Sequence, residues 1–185
     1  MGERAEGESF FLPAEKHDSE HIAATVARLL SWRPLRDAME SAPDGLLLLN
    51  EARQVVFSNA AFRQMLGYVS ADDLLGNRIG DIFQCSRLVA TPSGCGTGMA
   101  CRNCHAANGL LTALRWGGSE FRGRLHVLQE GPREVPFRAR VESVVVGNER
   151  LLFCALSLSH AHVFDPDILD QAPRELRELC QLLAS

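Results

Sequence analysis

The 185-residue sequence has no surplus of positive charge. Nineteen Lys and Arg stand against twenty-three Asp and Glu, a formal net charge of -4 with a pI near 5.9. The arginines are scattered instead of gathered in one stripe, so the electrostatic footprint of a nucleic-acid binder is missing. No apolar run approaches the roughly 18 residues of a membrane span. Residues 1–20 carry Glu3, Glu6, Glu8, Glu15, Asp18 and Glu20 around one short patch, Phe10 to Leu12, which is not the apolar core of a secretory signal. A cytoplasmic location follows as the expectation, with neither a membrane nor a nucleic acid as partner. There is also no glycine-rich phosphate loop, no G-x-S-x-G, no H-E-x-x-H and no kinase signature, so no enzyme is expected.

What is present is ordinary globular composition, 46% apolar and 23% charged, in a length that suits one domain with appendages. Residues 1–17 read as a flexible tail, because no sustained apolar period offsets the entropy of ordering them. From Asp18, a candidate cap, Ile22, Val26, Leu29 and Leu30 recur at helical spacing and place an amphipathic helix within 18–34. Pro34 interrupts it, and Leu35, Ala38 and Met39 suggest a second short helical piece ending before Pro43. Leu46–Leu49 and Gln54–Phe57 read as two strands joined by the turn Asn50–Arg53. Asn59 offers a cap for a helix through Phe62 and Leu66 that Gly67 stops. A further helical stretch is expected over Ala71–Leu75, and another turn of helix over 77–83.

Downstream, Leu110, Leu111 and Leu114 mark a helix closed by Gly117-Gly118. Phe121, Leu125 and Val127 alternate with Arg122, Arg124 and His126, and Val135 to Val141 alternates likewise, giving two strands with one wet face each. Leu151–Leu158 is apolar on both faces, as a central or doubly covered strand would be. Pro166–Leu183, within the appendage 161–185, reads as a second amphipathic helix. The order implies an α+β domain around a five-stranded antiparallel sheet.

The segment PDGLLLLNEARQVVFSNAAFRQMLGYVSADDLLGNRIGDIF, Pro43 to Phe83, resembles the first half of PAS domains of bacterial sensor kinases. The likeness lies in the Pro-Asp-Gly entry, Ser-Asn-Ala-Ala, Leu-Gly-Tyr and Leu-Leu-Gly; with the later strands it covers residues 35–160. It implies strand order 2-1-5-4-3, short helices on one face of the sheet, flanking N- and C-terminal helices, and a concave face that holds cofactors or small ligands. Where PAS domains pass from short helices to the long one, this chain inserts 84–105, with Cys85, Cys95, Cys101 and Cys104. Sensor-kinase PAS domains with Gly-Cys-Gly followed by Cys-x-x-Cys at this point form a subgroup that it resembles.

Four cysteines within twenty residues of a reducing-compartment chain are metal-ligand candidates before they are disulfides. Cys101-x2-Cys104 lets two thiolates meet one metal from a single turn, and Cys85 and Cys95 complete a four-thiolate set. Gly94, Gly96 and Gly98 let backbone amides approach sulfur. Four readings stay open: free thiols, structural zinc, an iron-sulfur cluster, and haem attached at Cys101-Arg-Asn-Cys104-His105. The run from Cys95 to His105 resembles the cluster loop of adrenodoxin-type ferredoxins, C-x5-C-x2-C-H. That likeness implies an iron-sulfur cluster, 2Fe-2S ahead of 4Fe-4S, with zinc as the alternative metal. Cys85 is the expected fourth ligand and Cys154 the reserve, although Cys154 reads first as a small buried hydrophobe and Cys180 as helix packing. His105 is read as a second-shell donor or a solvated helix-start residue; Arg122, Arg124, Arg138 and Arg140 as the wet side of a sheet.

The expected function is a sensory module that relays redox, oxygen, nitric oxide or iron status to a partner such as a sensor kinase or regulator. A homodimer is expected through the helices at 18–31 and 166–183, whose apolar stripes are left over once the core closes. A zinc-stapled interaction module and a small-ligand-binding domain are the alternatives.

Overall fold

The protein is described by a computed structural model covering residues 9–67, 70–91, 93–127 and 133–158. The expected helix over Pro166–Leu183 lies outside these residues, as do Cys180, His160 and His162.

Helix α1 (Ser19–Ser31) starts where Asp18 caps it, the carboxylate accepting from the His21 N–H at 2.8 Å. A break at Trp32 separates it from α2 (Arg33–Glu40), which carries Pro34 in its first turn, where the missing N–H costs nothing. Strands β1 (Gly45–Asn50) and β2 (Val55–Ser58) form the expected hairpin. Helix α3 (Ala60–Leu66) follows, capped by Asn59 and closed by Gly67 at φ +73°. One turn of helix, α4 (Ile79–Ile82), leads into two 3₁₀ turns, Ser86–Ala90 and Met99–Asn103. Helix α5 (His105–Trp116) ends at Gly117, φ +89°. Strands β3 (Gly118–Val127), β4 (Arg133–Val146) and β5 (Glu149–Leu158) complete the sheet in the order β2-β1-β5-β4-β3, every pairing antiparallel.

Both faces of the sheet are covered. On one, Leu47, Leu49, Val141, Leu152 and Leu156 pack with Phe62 of α3, Ile82 of α4 and Leu110 and Ala113 of α5. On the other, Leu46, Leu48, Val56, Leu151 and Ala155 meet Ile22 and Leu29 of α1 and Leu35 and Met39 of α2. This double burial explains why β1 and β5 are apolar on both sides: they occupy the second and third positions of the sheet.

Three expectations need correction. Ala71–Leu75 is a series of turns, not a helix. Its end is drawn into extended pairing with β2, Gly76 N–H donating to the Val55 carbonyl and Val55 N–H to that of Asn77, both at 2.9 Å. The apolar stripe of α1 is not left over for a partner. Ile22 and Leu29 lie in the core, and the buried Thr25 hydroxyl donates to Glu149 at 2.9 Å. Residues 9–17 are not a loose tail; Leu12 is 3% exposed and the segment is bonded to the cysteine loop, as described below.

Asn59 does more than cap a helix. Its Oδ1 accepts from the N–H groups of Leu46 and Phe62, both at 2.9 Å. Its Nδ2 is shared among the carbonyls of Met39, Ala42 and Asp44 at 3.2, 3.2 and 2.8 Å. Fully buried, it ties α2, β1 and α3 together. Asn59→Ala strands several buried backbone groups at once and is expected to cost on the order of 3 kcal/mol or more in denaturant unfolding. A loss below about 1 kcal/mol would show that these groups find other partners.

Candidate functional site

Each cysteine of the inserted loop sits at a corner of the chain. Cys85 follows Gln84, a non-glycine residue held at φ +47°, and its N–H donates to the Gly80 carbonyl at 2.8 Å. Cys95 lies between Gly94 and Gly96, at φ +84° and +93°, a sequence of turns that side chains disfavour. The Cys101 N–H donates to the Gly98 carbonyl and the Cys104 N–H to that of Cys101, both at 3.0 Å. Cys104 then occupies the cap position of α5, with no side-chain cap bond there, so its sulfur stands at the positive end of a 12-residue helix.

These corners converge. Cys85, Cys95 and Cys104 line one cavity of about 40 Å³, together with Gly80, Ala107, Leu110, Leu125 and Leu12. Cys101, buried beside them, acts electrostatically on both Cys85 and Cys95. Gly80 is the floor: a Cβ there would fall 2.7 Å from the Cys95 sulfur and 3.5 Å from the Cys85 Cβ. Among the described residues, however, no group of three or more His, Cys, Asp or Glu side chains is drawn round one point so as to hold a metal ion as it stands. The thiols share a chamber without closing on its centre.

The electrostatics of the chamber come from two residues that spacing did not single out. Arg53 and Arg78 line it, 5% and 1% exposed. Arg78 Nε donates to the Ala52 carbonyl at 3.0 Å, and its Nη1 to those of Ser93 and Cys95, both at 3.3 Å. Its Nη2 reaches the carbonyls of Pro13, Ala14 and Glu15 at 3.4, 3.0 and 2.7 Å. Arg53, itself at φ +66°, donates to the Pro13 carbonyl at 2.7 Å. Burial and the neighbouring Arg78 lower Arg53 to about 10, and burial lowers Arg78 as well; negative charge on Cys95 opposes both shifts. Burial in turn pushes Cys95 up to about 12 and raises Cys85. Neutral thiols beside buried guanidiniums are an unfavourable arrangement that anionic sulfur would relieve.

Residues 9–17 form a strap over this chamber. The Phe10 N–H donates to the Thr97 carbonyl at 2.8 Å and the Leu12 N–H to that of Gly96 at 3.1 Å. Arg102 Nε and Nη2 grip the Phe10 carbonyl at 3.0 and 2.8 Å. Lys16 pairs with Asp81 at 3.5 Å, and Gln54 exchanges hydrogen bonds with the backbone of His17 just before α1 begins. The other residues weighed from sequence lie elsewhere. Cys154 is buried in the core on β5, away from the chamber lining. His105 is exposed and faces an open cleft on the far side of Cys104.

Sheet order, helices and hairpins are those of a PAS domain. Residues 35–95 match the family model described as PAS domain. Among solved structures, the chain is similar to the Rhodobacter sphaeroides LOV protein, with a TM-score of 0.50 and 13% identity over 90% of this chain and 94% of that one. It is also similar to the PAS domain of nitrogen regulation protein NR(II) from Vibrio parahaemolyticus, with a TM-score of 0.49 and 12% identity over 69% and 98%. The PAS domain of an HTR-like protein from Haloarcula marismortui gives 0.45 and 16% over 68% and 94%. At such identities the likeness concerns the fold. No curated protein matches the chain.

Arg78→Met keeps length and removes one buried charge with its six carbonyl contacts. The Phe10 and Leu12 amides are expected to exchange with solvent about tenfold faster in this variant, roughly 1.4 kcal/mol of local opening, while core amides of β5 hold their rates. Unchanged exchange at both positions would mean that backbone pairing alone holds the strap.

Proposed function

We propose that this chain is a sensory PAS module whose Cys85, Cys95, Cys101 and Cys104 hold an iron-sulfur cluster, and that the state of this site passes through the strap to a signalling partner. The observation that carries the reading is the common chamber: three of the four thiols on one lining, the fourth beside them, and two buried arginines against them. The donor set fits an anionic group of this kind. Apolar walls exclude water, guanidiniums and the α5 terminus offset negative charge, and glycine corners leave amides free to approach sulfur. A lone zinc would draw four sulfurs to within about 2.3 Å of one point, whereas a cluster spreads its thiolates over several irons. The same volume disfavours an organic ligand there, since sites for such molecules run to about 300–1,000 Å³.

When bound, such a cluster supplies a one-electron couple and a bond set that oxidants dismantle. The chain does the rest. Arg53 and Arg78 face the sulfurs on one side and hold the strap by its carbonyls on the other, so a change in sulfur charge alters the forces on residues 13–15. The strap runs without a break into α1, which rests on the opposite face of the sheet. A disturbance of the loop is thereby delivered to a helix on the far side of the domain. A partner such as a sensor kinase or regulator would read the outer side of α1, as would a second copy of the chain.

The test is anaerobic purification with iron, acid-labile sulfide and zinc assays and a visible absorption spectrum. Iron and sulfide in equal amounts are expected, lost in Cys95→Ser and in Cys104→Ser. Gly80→Ala, which displaces Cys95 without removing a ligand, is expected to lower iron retention several-fold while far-UV dichroism is unchanged. Stoichiometric zinc with a colourless protein would replace this reading with that of a stapled interaction module.

A further inference from the structure

On the far side of Cys104 from the buried chamber lies an open cleft of about 430 Å³, bounded by the first 3₁₀ turn, the start of α5 and the β3–β4 hairpin. Its charge is opposite to that of the chain. Arg87, Arg122 and Arg124 line it, with His105 and His126, against a single carboxylate, Glu134. That carboxylate is already engaged: Arg124 Nη1 donates to it at 2.8 Å and His126 Nδ1 lies 3.3 Å away. The Arg124 hydrogen bond holds Glu134 below the usual carboxylate range, so it stays ionised and does not compete for further cations. Arg87 Nη1 donates to the Ala100 carbonyl at 3.0 Å, and its Nη2 stands 2.8 Å from His126 Nε2. An arginine can only donate, so Nε2 accepts and the His126 proton sits on Nδ1, facing Glu134. Arg122 has no hydrogen bond or ion pair among the described residues. Three guanidiniums therefore converge on a concave space with one carboxylate between them, and at least one has every donor unused.

We propose that this cleft binds a small molecule carrying two negative charges on carboxylate or phosphate oxygens. The volume is that of a small-molecule site, about 300–1,000 Å³. Guanidinium forks are matched to such oxygens two at a time. Cations approaching from two elements, Arg87 from the turn and Arg122 and Arg124 from β3, favour a compact ligand inside the cleft over an extended acidic segment lying across it. The site is separate from the cysteine chamber and does not depend on what the chamber holds, yet it shares Cys104 as a wall.

The test is calorimetric titration of the full chain with inorganic phosphate, with succinate, and with succinamide as the uncharged control, accompanied by amide chemical-shift mapping. Saturable binding of phosphate or succinate is expected, absent for succinamide, weakened by added salt, and shifting the Arg122, Gly123 and His105 amides. Whichever anion binds more tightly identifies the oxygen chemistry. Arg122→Gln is expected to weaken binding about tenfold, and Arg87→Gln combined with it further. Arg36→Gln, on the exposed side of α2, is expected to leave it unchanged. Anion titration tests the cleft and iron and sulfide content tests the cluster, so either reading fails without the other. Equal affinity in Arg122→Gln, shifts confined to other parts of the chain, no saturable binding, or binding of a polyglutamate peptide alone would each overturn the proposal. The shift map on the unaltered chain remains decisive if a variant folds poorly.

Discussion

The cysteine loop and the strap over it depend on one guanidinium. Arg78 is buried at the start of α4, and its donors end on carbonyls from three stretches far apart in sequence: the β1–β2 turn, the loop around Cys95 and the segment before α1. Each of those stretches is irregular and carries carbonyls that no helix or ladder satisfies. A single planar cation with five N–H groups answers that need better than separate neutral donors, and it does so at the cost of desolvating a charge. The thiols sit where that cost would be offset. Hence the geometry of the cysteine loop and the position of the strap are one problem, solved by the same residue.

Strain gathers at the same place. Arg53 and Gln84 are the non-glycine residues with positive φ among those described; one presents its guanidinium to the chamber and the other sets the direction of Cys85. Residues in that region persist only where their surroundings fix them, and such positions concentrate at working sites. Asn59 supplies rigidity at the other end of the hairpin, tying α2, β1 and α3 together, while the roof of the chamber is the hydrogen-bonded strap.

Much of this was legible in the residues. Alternation placed β3 and β4, two-sided apolarity placed β5 at the centre, and Asp18, Asn59, Gly67 and Gly117 marked helix ends, because each of those signals is local. The cysteine spacing pointed to the loop for the same reason. What the sequence concealed was long-range. Residues 9–17 are held by backbone pairing and by arginines from elsewhere, and a carbonyl leaves no trace in a side-chain pattern. Arg53 and Arg78 look like ordinary turn and helix-start residues; only the fold turns them inward. Ala71–Leu75 misled because its local helical preference loses to pairing with β2. The stripe of α1 was read correctly as apolar, but its destination, the second face of the sheet, is a tertiary fact.

Among the described residues, strand β3 has a neighbour on one side only, so its outer backbone groups offer a template on which another strand could continue. Arg122 and Arg124 stand along that margin. Glu120 stands in the same alternating row as these arginines, so a second strand laid antiparallel there would meet charges of both signs, matched in some registers and opposed in others. Charge spaced at every second residue of an open margin thus makes any continuation of the sheet selective for register instead of indiscriminate.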